Sequence, residues 1–388
     1  MPATTAAPVD AIASTRPRAA LGHDPVQLCF LSGGTALRDT VGVLADLGVR
    51  SGHILAPFDS GGSSGTLRDS FGGPAIGDVR NRLLSLCRGT HRAAVLATLG
   101  RRLDAEIDAT EARAELRALA DAAEQGGLSL PEAIALPLGR ALRHFLTVEA
   151  GCAVPFAYGR ASVGNLALVG EQMALGEAID RTIARWAERL EVDAALTLSS
   201  TDDVHLAATL ADGTIVLGQA GFTSKHGEAN CAGVRDVAVV DGAGNAATAE
   251  ANPTALGLIR SAGRICLPIG SLWSSVLGQL LPRGMGRALV ETDARRIYVP
   301  NPDWDAEQGR RSVADVAVTI AELCSRDLGR ACAPAECLDV VLLSADGAYP
   351  SGVDLERLLA YGLHVVRAPL GTARRMEGEA LAHALLHA

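Results

Sequence analysis

The chain has 388 residues, 48% hydrophobic and 20% charged, enough to bury a large core in one extended domain or two coupled ones. A formal net charge of −9, a single lysine at Lys225 and 3% aromatic residues exclude a basic, ring-rich nucleic-acid surface. No apolar run reaches the roughly 18 to 20 residues that a membrane-spanning helix requires. Residues 1–24, rich in Ala, Pro and Thr, are expected to form a disordered tail on a cytoplasmic protein. An organellar transit peptide is the alternative, and Asp10 and Asp24 argue against it. Residues 25–388 then form one domain. "VQLCFL" (26–31) and "HILAPF" (53–58) are buried strands flanking a helix in "TALRDTVGVLADLG" (35–48), which makes a parallel βαβ unit. A helix begins at "GDVRNRLLSLCRG" (77–89), and residues 91–150, dominated by Ala, Leu, Arg and Glu, read as a helical insertion. Residues 161–190 carry one long helical pattern. Strand signals return at 214–219, 234–241, 263–268, 295–300, 338–344 and 363–369, interleaved with helical stretches at 273–291, 312–328 and 376–387. The fold class is α/β: a doubly wound, mostly parallel, Rossmann-like sheet with a helical insertion subdomain.

Eight cysteines are scattered without a C-x-x-C pair, so they read as buried free thiols rather than as a zinc site or a disulfide framework. His205 and His226 stand in no metal-ligand spacing and read as surface or core histidines, and Lys225 reads as a solvated lysine.

Chemistry concentrates in the glycine turns. In open parallel sheets ligands bind beyond the carboxyl ends of strands, and three glycine- and serine-rich segments fall there. "LSGGTALR" (31–38) is either a phosphate cradle, in which Gly33 and Gly34 let the backbone approach an anion facing the amides near Thr35, or a tight strand-to-helix turn. "DSGGSSGTLR" (59–68) follows the second strand. Its Asp59 is suited to ligating Mg2+ or to accepting a substrate hydroxyl, its glycines with Ser63 and Ser64 to phosphate oxygens, and Arg68 adds positive charge. The alternative there is a solvated loop. "AIGDVRN" (75–81) adds a second acid, Asp78, at a helix start, where capping is the plainer role. "SVGNLAL" (162–168) and "PIGSLWSSVLGQLLPRG" (268–284) follow, the second again a strand, a glycine-serine turn and a helix.

These blocks in this order, together with "RRIYVPN" (295–301), resemble the CofD-like superfamily over about residues 26 to 320. That group contains 2-phospho-L-lactate transferase and the YvcK gluconeogenesis-factor proteins that bind UDP-sugars. The resemblance implies a site for a nucleoside diphosphate derivative or a nucleotide-sugar, bound Mg2+ and a homodimer. Carried over block by block, it implies nucleotide and phosphate contacts from Gly33, Gly34 and Thr35, from Gly61, Gly62, Ser63, Ser64, Gly65 and Arg68, and from Arg80 and Asn81. It implies the same of Gly164 and Asn165, and of Gly270, Ser271 and Ser275, while Asp59 and Asp78 take the metal and catalytic roles. The chain departs from the pattern in two places. Ser60 stands where the family has a second successive acid, and "PIGS" replaces G-P-G-S. Trp273, where relatives have tyrosine, is expected either beside the nucleoside or against the sheet. The resemblance implies a transferase acting on a nucleoside diphosphate ester with release of nucleoside monophosphate; the alternative is a non-catalytic nucleotide-sugar-binding regulator.

Overall fold

The computed structural model describes residues 26–176, 178–223 and 233–388; the tail at 1–24, Lys225 and His226 lie outside them. Seven parallel strands form the central sheet in the order β10-β9-β8-β7-β1-β2-β3. They are β1 (Leu28–Ser32), β2 (Ser51–Leu55), β3 (Ala194–Leu198), β7 (Arg264–Leu267), β8 (Arg295–Tyr298), β9 (Val340–Ser344) and β10 (His364–Ala368). β1 and β2 are buried at every position, the signature of a strand covered on both faces. Side chains alternate between two cores: Leu28 and Phe30 join one, Cys29 and Leu31 the other.

Helices α1 (Arg38–Asp46), α2 (Gly62–Phe71), α3 (Gly77–Leu86), α4 (Arg92–Leu99), α5 (Ala109–Glu124), α6 (Glu132–Glu149), α7 (Val163–Leu175) and α8 (Ile179–Arg189) follow β1 and β2 before the chain returns to the sheet at β3. α4, α5 and α6 occupy most of residues 91–150, and α6 packs closely along α7. A Cβ on Gly170 would fall 2.1 Å from the carbonyl oxygen of Ala141, so glycine is required for that approach. The other face carries helices at 253–261, 285–291 and 313–328. The last of these starts on a capping box, with Ser312 Oγ accepting from the Asp315 amide at 3.2 Å and Asp315 Oδ2 accepting from the Ser312 amide at 3.0 Å.

The structure departs from the sequence reading in several elements. The strands at 215–217 and 234–240, β5 (Ile215–Leu217) and β6 (Val234–Val240), flank β4 (His205–Leu210) in a separate antiparallel sheet. β3 and β4 escaped the strand signal because "AALTL" and "HLAATL" are mostly alanine and leucine, with one threonine each as their single β-branched residue, so tertiary pairing decides them as strands. The 161–190 pattern breaks into α7 and α8 at Gly176, which closes α7 in the left-handed region at φ 58°. The 273–291 stretch is a π-turn (272–276), a 3₁₀ turn (277–280) and a short α-helix (285–291), because Pro282 and Gly284 interrupt it.

Candidate functional site

The chain builds outward from β1 in both directions, with β2 and β3 on one side and β7 to β10 on the other, so the connections diverge beside β1. Loops leaving β1, β2 and β7 border a cleft of about 300 Å³ there, the position at which doubly wound sheets take ligands. Gly33, Gly34, Thr35, Asp59, Asp78, Asn81, Gly270, Ser271 and Ser275 line it together, with Ala36, Ala56, Gln219 and Ser274 beside them.

Gly33 and Gly34 have a local reason to be glycine. A Cβ on Gly34 would stand 2.7 Å from both the Cα and Oδ1 of Asp78, and one on Gly33 would stand 2.8 Å from Ser275 Oγ. The turn after β1 is therefore pressed onto the start of α3, and the Gly34 amide donates to the Asp78 carboxylate. Burial, and after it the negative field of Asp59, push the Asp78 carboxyl up to about 6, even with the guanidiniums of Arg82 and Arg80 opposing the shift. Asp59 Oδ1 accepts the Gly61 amide at 2.9 Å, and its Oδ2 lies 3.1 Å from the place a Cβ on Gly77 would occupy. The two acids thus meet at the seam between the β2 loop and α3.

The remaining residues of the resemblance do not line this cleft. Gly62 to Gly65 form the first turn of α2 rather than a loop. Ser63 and Ser64 are buried, with Ser63 Oγ accepting from Asn165 Nδ2 at 2.9 Å and Ser64 packed under Gly77. Gly61 passes above Ala220, and Gly65 allows α2 to approach the carbonyl of Ser60. Arg68 is buried as a strut: Nε donates to the carbonyl of Gly73 at 3.0 Å and Nη2 to that of Val204 at 2.5 Å. Gly164 accepts the stem of Arg80 in the first turn of α7, at 3.0 Å from Cγ and Cδ for an added Cβ. Ser60 Oγ accepts the Ala220 amide at 2.9 Å, so the position that departs from the family pattern is tied to the 218–220 segment, whose Gln219 borders the cleft. Trp273 is buried, with the Arg311 guanidinium over its ring at 5.8 Å from the ring centre, and it does not line the cleft.

Two supports of the cleft escaped sequence reading. Arg82, fully buried, donates to the Gly33 carbonyl at 2.7 Å and to Ser32 Oγ at 3.2 Å, and burial lowers its guanidinium to about 10. It locks the turn after β1 from beneath. Glu307 holds the turn after β7: Oε2 accepts the amides of Trp273 and Ser274 at 2.7 and 2.8 Å, and Oε1 accepts Ser274 Oγ at 2.6 Å. Asp305 takes the Leu272 amide at 2.8 Å, and Asn301 exchanges two bonds with Gly270 at 3.0 and 2.6 Å. The amides at this helical start are therefore occupied by protein carboxylates, which leaves the hydroxyls of Ser271 and Ser275 to face a ligand. Neither support carries a local motif: Arg82 looks like any arginine of an amphipathic helix, and Glu307 is more than 30 residues from the turn that it holds.

The sequence profile of the family described as 2-phospho-L-lactate transferase CofD matches residues 28–371. The chain belongs to the CofD family. It is 27% identical over 205 residues to an uncharacterized protein of Saccharomyces cerevisiae, covering 48% of this chain and 44% of that one. It is 25% identical over 275 residues to a Nostoc sp. protein provisionally named a gluconeogenesis factor, covering 71% of this chain and 47% of that one. The chain thus spans less than half the length of these curated relatives. The crystal structure of a UPF0052-family protein from Bacillus halodurans superposes with a TM-score of 0.66 at 22% identity, covering 94% of this chain and 100% of that chain. Its likeness bears out the α/β fold, the mostly parallel sheet of this CofD family member. No helix among the described residues is long and apolar enough to cross a membrane.

Proposed function

We propose that this CofD family member is a magnesium-dependent transferase acting on a nucleoside diphosphate ester. The observation that carries the reading is the carboxylate pair, Asp59 and Asp78, in one cleft at the divergence of the sheet, with the Asp78 carboxyl raised to about 6 by burial and by its neighbour. Two carboxylates lining one cleft fit Mg2+, which completes its shell with water and substrate phosphates. Bound there, the ion would supply Lewis-acid stabilisation of phosphoryl charge. The acceptor hydroxyl forms a bond to the phosphorus remote from the nucleoside, the bridging P–O bond breaks, and the electron pair leaves with nucleoside monophosphate. The hydroxyl proton passes to a cleft carboxylate. Asp59 and Asp78 are the carboxylates that line the cleft.

A second reading, a nucleotide-sugar-binding regulator, is favoured by Ser60 in place of an acid and by the Nostoc relative's name. The two part on turnover. The test is monophosphate release from the nucleoside diphosphate compound that most raises the melting temperature, assayed with Mg2+ and a panel of hydroxyl acceptors for wild type, Asp59→Asn and Asp78→Asn. Transferase chemistry predicts a fall of about 100-fold or more in each variant, equivalent to about 2.7 kcal/mol, with a smaller loss of nucleotide affinity. Equal background release from all three proteins removes the transferase reading and leaves the regulator.

A further inference from the structure

Among the described residues that line the cleft, Gln219 alone follows the antiparallel sheet; the others belong to the loops and helices after β1, β2 and β7. It opens the short helix at 219–223, directly after β5 and Gly218. The turn is clamped onto the β2 loop. Ser60 Oγ accepts the Ala220 amide at 2.9 Å, and Gly218, at φ 76°, has no Cβ to meet that same Oγ, which lies 3.1 Å from where one would stand. Gly61 brings the two segments together, since a Cβ built on it would stand 3.8 Å from Ala220 Cβ and 3.4 Å from Asp59 Oδ1. From the other side the Gly218 amide donates to the Leu206 carbonyl at 2.8 Å, which ties the turn to β4. The stretch Asp59, Ser60, Gly61 thus supplies a cleft carboxylate and also fixes the turn that carries Gln219 into the same cleft. The half-buried Gln219 carboxamide makes no hydrogen bond to another described residue, and no Arg, Lys or His among the described residues lines the cleft.

We propose that Gln219 is a third protein ligand of the divalent cation held by Asp59 and Asp78, and that Ser60 is the positioning residue that brings it there. Hard divalent cations take oxygen donors, the carbonyls of Asn and Gln as well as carboxylates, and an octahedral shell has room for more than two carboxylates. An uncommitted carboxamide in a cleft with two acids and no cationic side chain is such a donor. Being neutral, it fills a place in the shell without cancelling the charge of the ion, which stays available to phosphate oxygens. The inference rests on the Mg2+ site of the proposed function and adds to it a residue from the second sheet, but the ion binds there whether or not turnover occurs.

The test titrates the full chain, without nucleotide, with Mn2+ followed by its electron paramagnetic resonance signal and with Mg2+ as competitor, since both ions take the same oxygen donors. Gln219→Ala should weaken both ions about 5-fold or more, and Gln219→Glu, which adds a charged oxygen at the same place, should tighten them about 10-fold. Ser60→Ala should weaken them as Gln219→Ala does and speed hydrogen exchange at the Ala220 amide, whereas Ser60→Thr, which keeps the accepting hydroxyl, should restore both properties. Wild-type affinity in Gln219→Ala and Gln219→Glu, alongside a loss in Asp59→Asn, overturns the third ligand and leaves the carboxylate pair and the proposed function standing. Unchanged exchange at Ala220 in Ser60→Ala overturns the positioning role of Ser60. No binding of either ion to wild type overturns this inference together with the magnesium dependence of the proposed function. Binding that depends on Gln219 in a protein that releases no nucleoside monophosphate would instead overturn the transferase and leave this inference standing.

Discussion

Removing the charge of Asp78 should make the empty protein more stable while damaging the cleft. The folded chain holds this carboxyl at about 6 against an ordinary 3.8, chiefly through burial and then through Asp59. Protonation is therefore easier in the folded state than in the unfolded one. The group has no stability cost below pH 3.8, a growing cost as pH rises through the interval, and a constant cost above about 6. At about 1.36 kcal/mol per pH unit the full cost is about 3 kcal/mol. Asparagine keeps an oxygen for the Gly34 amide and carries no charge, so Asp78→Asn should recover most of that amount at pH 7.5. With roughly 2.1 cal/mol/K of unfolding entropy per residue over 388 residues, the melting temperature should rise by about 3 to 4 °C. At pH 5 the gain should shrink to about half, because the wild-type group is then mostly protonated when folded and still mostly ionised when unfolded. Differential scanning calorimetry of both proteins at the two pH values, with chelator present, measures this. A variant that melts at or below wild type at pH 7.5, or whose advantage does not shrink at pH 5, refutes the assignment of a desolvated, like-charge-facing carboxyl.

Two further outcomes follow from the supports of the cleft. Gly34→Val places a Cβ 2.7 Å from the Asp78 backbone, so it should cost about 1–3 kcal/mol in urea unfolding and abolish nucleotide binding; retained affinity would show that this turn does not border the ligand. Glu307→Gln keeps an oxygen for the amides of Trp273 and Ser274, and its NH₂ donates to Ser274 Oγ once that hydroxyl, the donor in the wild type, turns to accept. It should therefore fold with little loss, whereas Glu307→Ala leaves two buried amides unpaired and should cost about 2–5 kcal/mol by the same unfolding assay.

The parallel sheet was legible in the sequence because a strand buried on both faces must be apolar at nearly every position, and "LCFL", "RICL" and "VVLL" say so without reference to anything distant. The glycine turns were legible for a similar reason. Close backbone approach excludes a Cβ, so Gly33 and Gly34 mark the rim of the cleft by residue type alone. What the linear pattern leaves undecided is direction. Ser63, Ser64 and Arg68 have the composition of a phosphate loop, yet helix α2 carries Ser63 and Ser64 in its first turn and Arg68 in its last, and its packing aims them inward at Asn165, Gly77 and the Val204 carbonyl. Partners far apart in the chain are equally invisible to it. Glu307 is an acid without a motif until the fold brings it onto the amides after β7, and Arg82 is one arginine among many until burial places it under the turn after β1. "AALTL" becomes a strand only because β2 offers it an edge at Ser51 to Leu55, and hydrogen-bond pairing along that edge outweighs the weak preference of alanine for extended backbone.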